Sequence, residues 1–114
     1  MNTNWSDTDL MKKIKNPNTN RQYTIKINTG EITMIGVHNQ PDFASIEIEF
    51  IPRKYIIELK SLKLYFLQFR NKILSYERLS NIIYDDIKNI YNPIFLKLTM
   101  TFNPRGGISS TIII

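Results

Sequence analysis

Apolar and polar residues alternate in Tyr23-Thr24-Ile25-Lys26-Ile27, in Ser45-Ile46-Glu47-Ile48-Glu49-Phe50 and from Leu96 to Phe102. A period of two marks a strand with one face buried. Ile46, Ile48 and Phe50 share one such face, and Leu96, Leu98, Met100 and Phe102 share another. Thr29-Gly30 ends the first strand, Pro52 closes the second, and Ile32 to Val37 is a shorter apolar run. His38-Asn39-Gln40-Pro41-Asp42 reads as a loop. Asn103-Pro104-Arg105-Gly106-Gly107 reads as a turn before a last strand from Ile108 to Ile114.

The period changes between these strands. Leu59 to Asn71 predicts a helix with Leu59, Leu62, Phe66 and Phe69 in one stripe, and Leu64, Tyr65 and Leu67 widen that stripe most of the way round. A helix apolar on nearly every side is buried or sits at a subunit interface. Ser75 predicts the N-cap of a second helix, with Arg78 where a capping box would place Glu or Gln. Leu79, Ile82, Ile83, Ile87 and Ile90 face its core side, Asp85, Asp86 and Lys88 face water, and Asn92-Pro93 ends it. Residues 1–15 form a polar arm with a short helix around Asp7 to Ile14, and residues 16–114 form one domain. Strands, two helices, then strands predict an α+β fold with both helices on one face of an antiparallel sheet.

At 114 residues the chain has the size of one domain with a true core. It contains no cysteine, which excludes disulfides, thiolate metal sites and a thiol nucleophile. His38 is the sole histidine, so one chain cannot assemble an imidazole metal cluster. A net charge of +5 suits a polyanion or a phosphorylated cofactor, and equally suits a soluble surface. No apolar run reaches membrane-spanning length, and the polar, acid-containing N-terminus is unlike a signal peptide. A cytoplasmic protein is expected.

Four short segments carry candidate chemistry. Glu58-Leu59-Lys60-Ser61-Leu62-Lys63-Leu64-Tyr65 opens the first helix. Free amides there, with Lys60 and Lys63, suit an anion, although a solvated helix face has the same composition. Cations at a helix start oppose its dipole, and Glu58 suits a donor-rich base edge. Pro104-Arg105-Gly106-Gly107 offers a guanidinium fork and an approachable backbone, or an ordinary hairpin turn. In Gln40-Pro41-Asp42-Phe43 a carboxylate precedes a strand, with Phe43 placed to desolvate it as a general acid or Asp42 simply starting the strand. Glu77, beside Tyr76, either meets an amide-amidine base edge or complements the helix dipole.

Taken together, these segments resemble the NADPH-dependent 7-cyano-7-deazaguanine reductases of the queuosine pathway. Asn16-Pro17, Arg21-Gln22-Tyr23-Thr24-Ile25, Gln40-Pro41-Asp42-Phe43-Ala44, Glu58 through Tyr65, Phe69-Arg70-Asn71, Tyr76-Glu77 and Phe102 through Gly107 occur in the family's order and near its spacing. The resemblance implies a tunnelling fold like that of GTP cyclohydrolase I, homo-oligomers with sites between neighbouring subunits, and NADPH as cofactor. It implies a cysteine thiolate that captures the nitrile as a thioimide, which two hydrides then convert to the aminomethyl group. Asp42 holds the proton donor's position. Ile57, Glu58 and Leu59 would contact the base, with Tyr76 and Glu77 at its edge. Lys60, Ser61, Lys63, Arg105, Gly106 and Gly107 would hold NADPH.

The chain departs from that pattern at the nucleophile. Aligning Glu31 through Ile35 puts Gly36 at the cysteine position, while counting back from Asp42 without a gap gives Ile35. Gly36 has the better upstream match. Tyr76 stands where the family usually has histidine, and the family chain usually continues past the strand that ends here at Ile114. The expectation is a family member whose activity suffers from the missing thiol. The alternative is an inactive member that binds a deazaguanine or RNA, or pairs with an intact paralogue. Neither a membrane partner nor direct nucleic-acid binding is expected, since only charge favours the latter and no aromatic–basic motif is present.

Overall fold

In the computed structural model, which describes residues 5–114, the alternating segments become a four-stranded antiparallel sheet. Its strands are β2 (Ile25–Ile35), β3 (Pro41–Ile51), β5 (Phe95–Arg105) and β6 (Ile108–Ile113), in the order β2-β3-β5-β6. The register sets Ile46 opposite Met100, Ile48 opposite Leu98 and Phe50 opposite Leu96, so the apolar faces coincide. Helices α1 (Leu59–Leu67) and α2 (Tyr76–Tyr91) contribute Leu62, Tyr65, Phe66, Leu79, Ile83, Ile87 and Tyr91 to the same buried cluster. Ile82 and Ile90 pack only partly against it. The other sheet face carries the half-buried Glu47, Glu49, Lys97 and Thr99, so the architecture is α+β with one helical layer.

Helix ends follow local chemistry. Ser75 Oγ accepts from the Arg78 amide and starts α2, and Asn92 closes it at φ 45°, its N–H donating to the Lys88 carbonyl. The helix expected over Leu59 to Asn71 is α-helical only to Leu67 and continues as a 3-10 turn at Gln68–Asn71, which keeps Phe69 buried.

Strand ends differ more from expectation. Thr29-Gly30 does not end the first strand; β2 runs through it, with the pairing irregular between Thr29 and Ile32. A bulge absorbs the extra residue that local glycine reading takes for a stop. Pro41 and Asp42 lie inside β3, and β5 extends through Asn103 and Pro104. Only Gly106 and Gly107 form the final turn, at φ 58° and 80°, a conformation suited to a two-residue hairpin.

The helix expected around Asp7 to Ile14 is absent. A 3-10 turn at Thr8–Leu10, capped by Asp7, leads instead into β1 (Lys13–Lys15), which pairs with β4 (Tyr55–Ile57). Tertiary contacts override local preference here: Met11 is buried, the Lys12 amide donates to Ser61 Oγ at 2.9 Å, and Tyr91 Oη donates to the Lys12 carbonyl at 2.7 Å. Residues 1–4 of the expected arm lie outside the described residues. Among the described residues no helix is long and apolar enough to cross a membrane.

Candidate functional site

The β2–β3 turn, the first residues of α2 and the end of β5 meet around a cavity of 520 Å³. Gly36, His38, Gln40 and Asp42 line it from the turn, Ser75, Tyr76 and Glu77 from α2, and Arg105 and Gly106 from the β5–β6 turn. Three of the segments singled out in the sequence therefore converge. Gln40, not picked out as a site residue, belongs here too. Its side chain takes part in the network, and its signal was its place in the Gln40–Ala44 motif.

Antiparallel pairing places Asp42 opposite Met34 and Pro41 opposite Ile35. Side chains alternate along β2, so position 36 shares the face of Met34 and Asp42, while Ile35 points to the other face. A β-carbon at Gly36 would overlap Asp42 Oδ2 and lie 3.2 Å from its Cγ. The Asp42 carboxyl group thus fills the space that a side chain at 36 would need. The Gly36 amide donates to the Gln40 carbonyl at 2.7 Å, closing the turn.

Arg105 fastens this corner. Its Nε donates to Asp42 Oδ1 at 2.7 Å, one terminal nitrogen donates to Gln40 Oε1 at 2.9 Å, and the other donates to the Pro41 carbonyl. The pair with Asp42 holds Arg105 above the ordinary guanidinium range. Tyr76 stacks on Phe102, with ring centroids 4.0 Å apart and planes at 10°. Burial, then the charge of Asp42, pushes the Tyr76 hydroxyl above its ordinary range, so it stays a neutral phenol. Asp42 is buried at 8% exposure, but Phe43 does not desolvate it. Strand alternation sends Phe43 to the opposite face, where it is exposed.

The octet lies elsewhere in the fold. Ile57 is buried and paired in β4. Glu58 caps α1, its carboxylate accepting from the Lys60 amide at 3.0 Å and the Ser61 amide at 2.9 Å. The helix-start amides expected to be free for an anion are therefore engaged, because Glu58 reaches them first. Ser61 is buried and donates to the Glu58 carbonyl at 2.7 Å. Leu59 and Lys63 line a second cavity of 610 Å³ between α1 and β2. Leu59, Leu64 and Leu67 are exposed on this helix, the apolar excess visible in its sequence.

For a phosphate-bearing cofactor, the residues fit in charge and access. Lys60 and Lys63 are exposed and form no ion pair among the described residues, and the backbone at Gly106 and Gly107 is open. They lie on separate elements, α1 and the β5–β6 turn. Among the described residues no group of histidine, aspartate and glutamate side chains could hold a metal.

An antiparallel sheet backed by two helices, with an acid–guanidinium pair and a phenol in a cavity at one end of its central strands, defines the class as an α+β domain. The family described as QueF-like protein matches residues 41–114. A protein of Aquifex aeolicus (strain VF5) named NADPH-dependent 7-cyano-7-deazaguanine reductase is 43% identical over 98 residues, covering 85% of this chain and 76% of that one. One of the same name in Vesicomyosocius okutanii is 45% identical over 104 residues, covering 90% and 79%. The apo crystal structure of an archaeosine synthase, QueF-Like, matches with a TM-score of 0.74 over 80% of this chain and 90% of that one, and at 17% identity it shows a shared fold. The chain belongs to the QueF-like family of 7-cyano-7-deazaguanine reductases.

Proposed function

We propose that this chain binds a 7-substituted deazaguanine and NADPH as its relatives do, and that the covalent step of nitrile reduction is lost or greatly reduced. The carrying observation is the corner between Gly36 and Asp42. Position 36 faces the cavity and the proton-donor position, yet it bears no side chain, and a carboxylate oxygen occupies the space. Covalent capture splits a difficult addition into easier steps, and no residue of this chain supplies the thiol.

In this reading Glu77 accepts hydrogen bonds from the base edge, Tyr76 takes the place of the family's histidine, and Asp42 keeps the proton donor's position. Ile57, Glu58 and Leu59 of a neighbouring copy complete the base site. Lys60 and Lys63, with the open backbone at Gly106 and Gly107, hold the cofactor's phosphates, while Ser61 and Arg105, engaged within the chain, position those segments. NADPH supplies hydride when bound. The placement of the octet away from the Asp42 cavity supports a site shared between subunits of a homo-oligomer, and so does the apolar surface of α1. The tunnelling fold and a cytoplasmic location belong to the same reading.

Calorimetric titration with 7-cyano-7-deazaguanine and with its aminomethyl counterpart tests this proposal. Binding of at least one, lost in Glu77→Ala, is the expected result. Heat traces indistinguishable from dilution for both would overturn it.

A further inference from the structure

We propose that the cavity selects a deazaguanine whose 7-substituent is a cationic amine over one carrying a neutral nitrile. This rests on the base-binding reading above and adds the chemistry of the ligand's reacting arm. The place where a nucleophile would meet that arm presents an oxygen of Asp42, not a thiolate, because Oδ2 fills the side-chain space of Gly36.

Several donors around that point are already engaged. Arg105 directs Nε to Asp42 Oδ1, and its two terminal nitrogens to Gln40 Oε1 and the Pro41 carbonyl. The Gly36 amide donates to the Gln40 carbonyl, and the Asn39 amide donates to the Gly36 carbonyl. The Tyr76 hydroxyl lies beside Asp42, whose charge helps keep it protonated. Glu77 adds a second carboxylate to the cavity wall.

A carboxylate only accepts hydrogen bonds, and a nitrile nitrogen also only accepts, so the two face each other without a shared proton. An aminomethyl group is an ammonium at neutral pH. It brings three donors and a positive charge to Oδ2, opposite the oxygen held by Arg105, and so makes a charge-assisted contact. The missing thiol and the Asp42 oxygen in its space therefore turn a nitrile-capturing corner into an amine-holding one.

The test compares 7-aminomethyl-7-deazaguanine with 7-cyano-7-deazaguanine by calorimetry on the wild-type chain. The amine should bind about tenfold tighter or more, the scale of one charged hydrogen bond. Asp42→Asn should bring the two affinities close together, since its amide nitrogen can donate to the nitrile. Equal affinities, or a tighter nitrile, in the wild type would overturn the inference while leaving the base site standing. An amine preference unchanged in Asp42→Asn would overturn it as well. Binding of neither compound would sink the base-site reading and the inference together. The wild-type comparison stands whatever the stability of the variant.

Discussion

Arg105 Nε donates to Asp42 Oδ1 at 2.7 Å, and through the same guanidinium the end of β5 also holds Gln40 and Pro41. A planar fork can meet three acceptors at once, whereas an ammonium on a flexible stem acts as a point charge. Arg105→Lys should keep some attraction to Asp42 but release the turn. Hydrogen exchange at the Gly36 and Asn39 amides, both bonded within that turn, should quicken. Unchanged protection would show that the turn holds itself.

Gly36 is buried beside Asp42 and has no room for a β-carbon while Asp42 keeps its position. Gly36→Ala and Gly36→Cys should each displace the Asp42 carboxyl group and destabilise the fold by about 1–3 kcal/mol, the usual cost of overpacking. Equal loss in the two variants separates the steric effect from thiol chemistry. Denaturant midpoints equal to wild type in both would contradict the observed crowding.

Glu58 acts as the cap of α1 within its own chain. Glu58→Ala should therefore cost about 0.5–2 kcal/mol of stability with no ligand present. Urea unfolding of the free protein checks this. A loss seen only in ligand binding, with stability intact, would assign Glu58 to the base alone.

Much of this architecture was legible in the sequence, and the misses share a cause. Strict alternation from Ile46 to Phe50 and from Leu96 to Phe102 marked the central strands, because one face of each is buried and the other is polar. Ser75 marked the start of α2 by its capping chemistry. Thr29-Gly30 and Pro104 misled, since local breaker signals do not reveal the pairing irregularities, at Thr29 to Ile32 and at Phe102 to Arg105, that absorb them. β1 and β4 were invisible because Lys13–Lys15 and Tyr55–Ile57 are short and are held by pairing with each other. At the site, the residue types of Asp42, Tyr76, Glu77 and Arg105 were readable, while the ion pair between Asp42 and Arg105 was not. It joins residues far apart in sequence, and only the sheet register brings them together.

Two buried hydroxyls set the alkaline limit. Burial pushes Tyr65 far above its ordinary range, helped by Asp86, to which it donates at 2.5 Å. Burial, and then the charge of Glu58, pushes Tyr91 up to about 12 from an ordinary 10.0. Below the ordinary value the hydroxyls are protonated whether the chain is folded or unfolded, so neither makes stability depend on pH there. Above it the unfolded chain releases these protons while the folded chain keeps them, so stability falls as pH rises. The urea midpoint should decline from about pH 10 upward, and Tyr91→Phe should flatten the decline between about 10 and 12. A flat profile across that window would contradict the burial of these groups.

NADPH oxidation in the presence of 7-cyano-7-deazaguanine tests most directly whether the chain keeps its grip without the nucleophile. With wild-type protein the rate should match that of a control lacking the nitrile, while the Aquifex aeolicus relative, assayed alongside, serves as the positive control. Nitrile-dependent oxidation by the wild-type chain at a rate comparable to that relative would contradict the account.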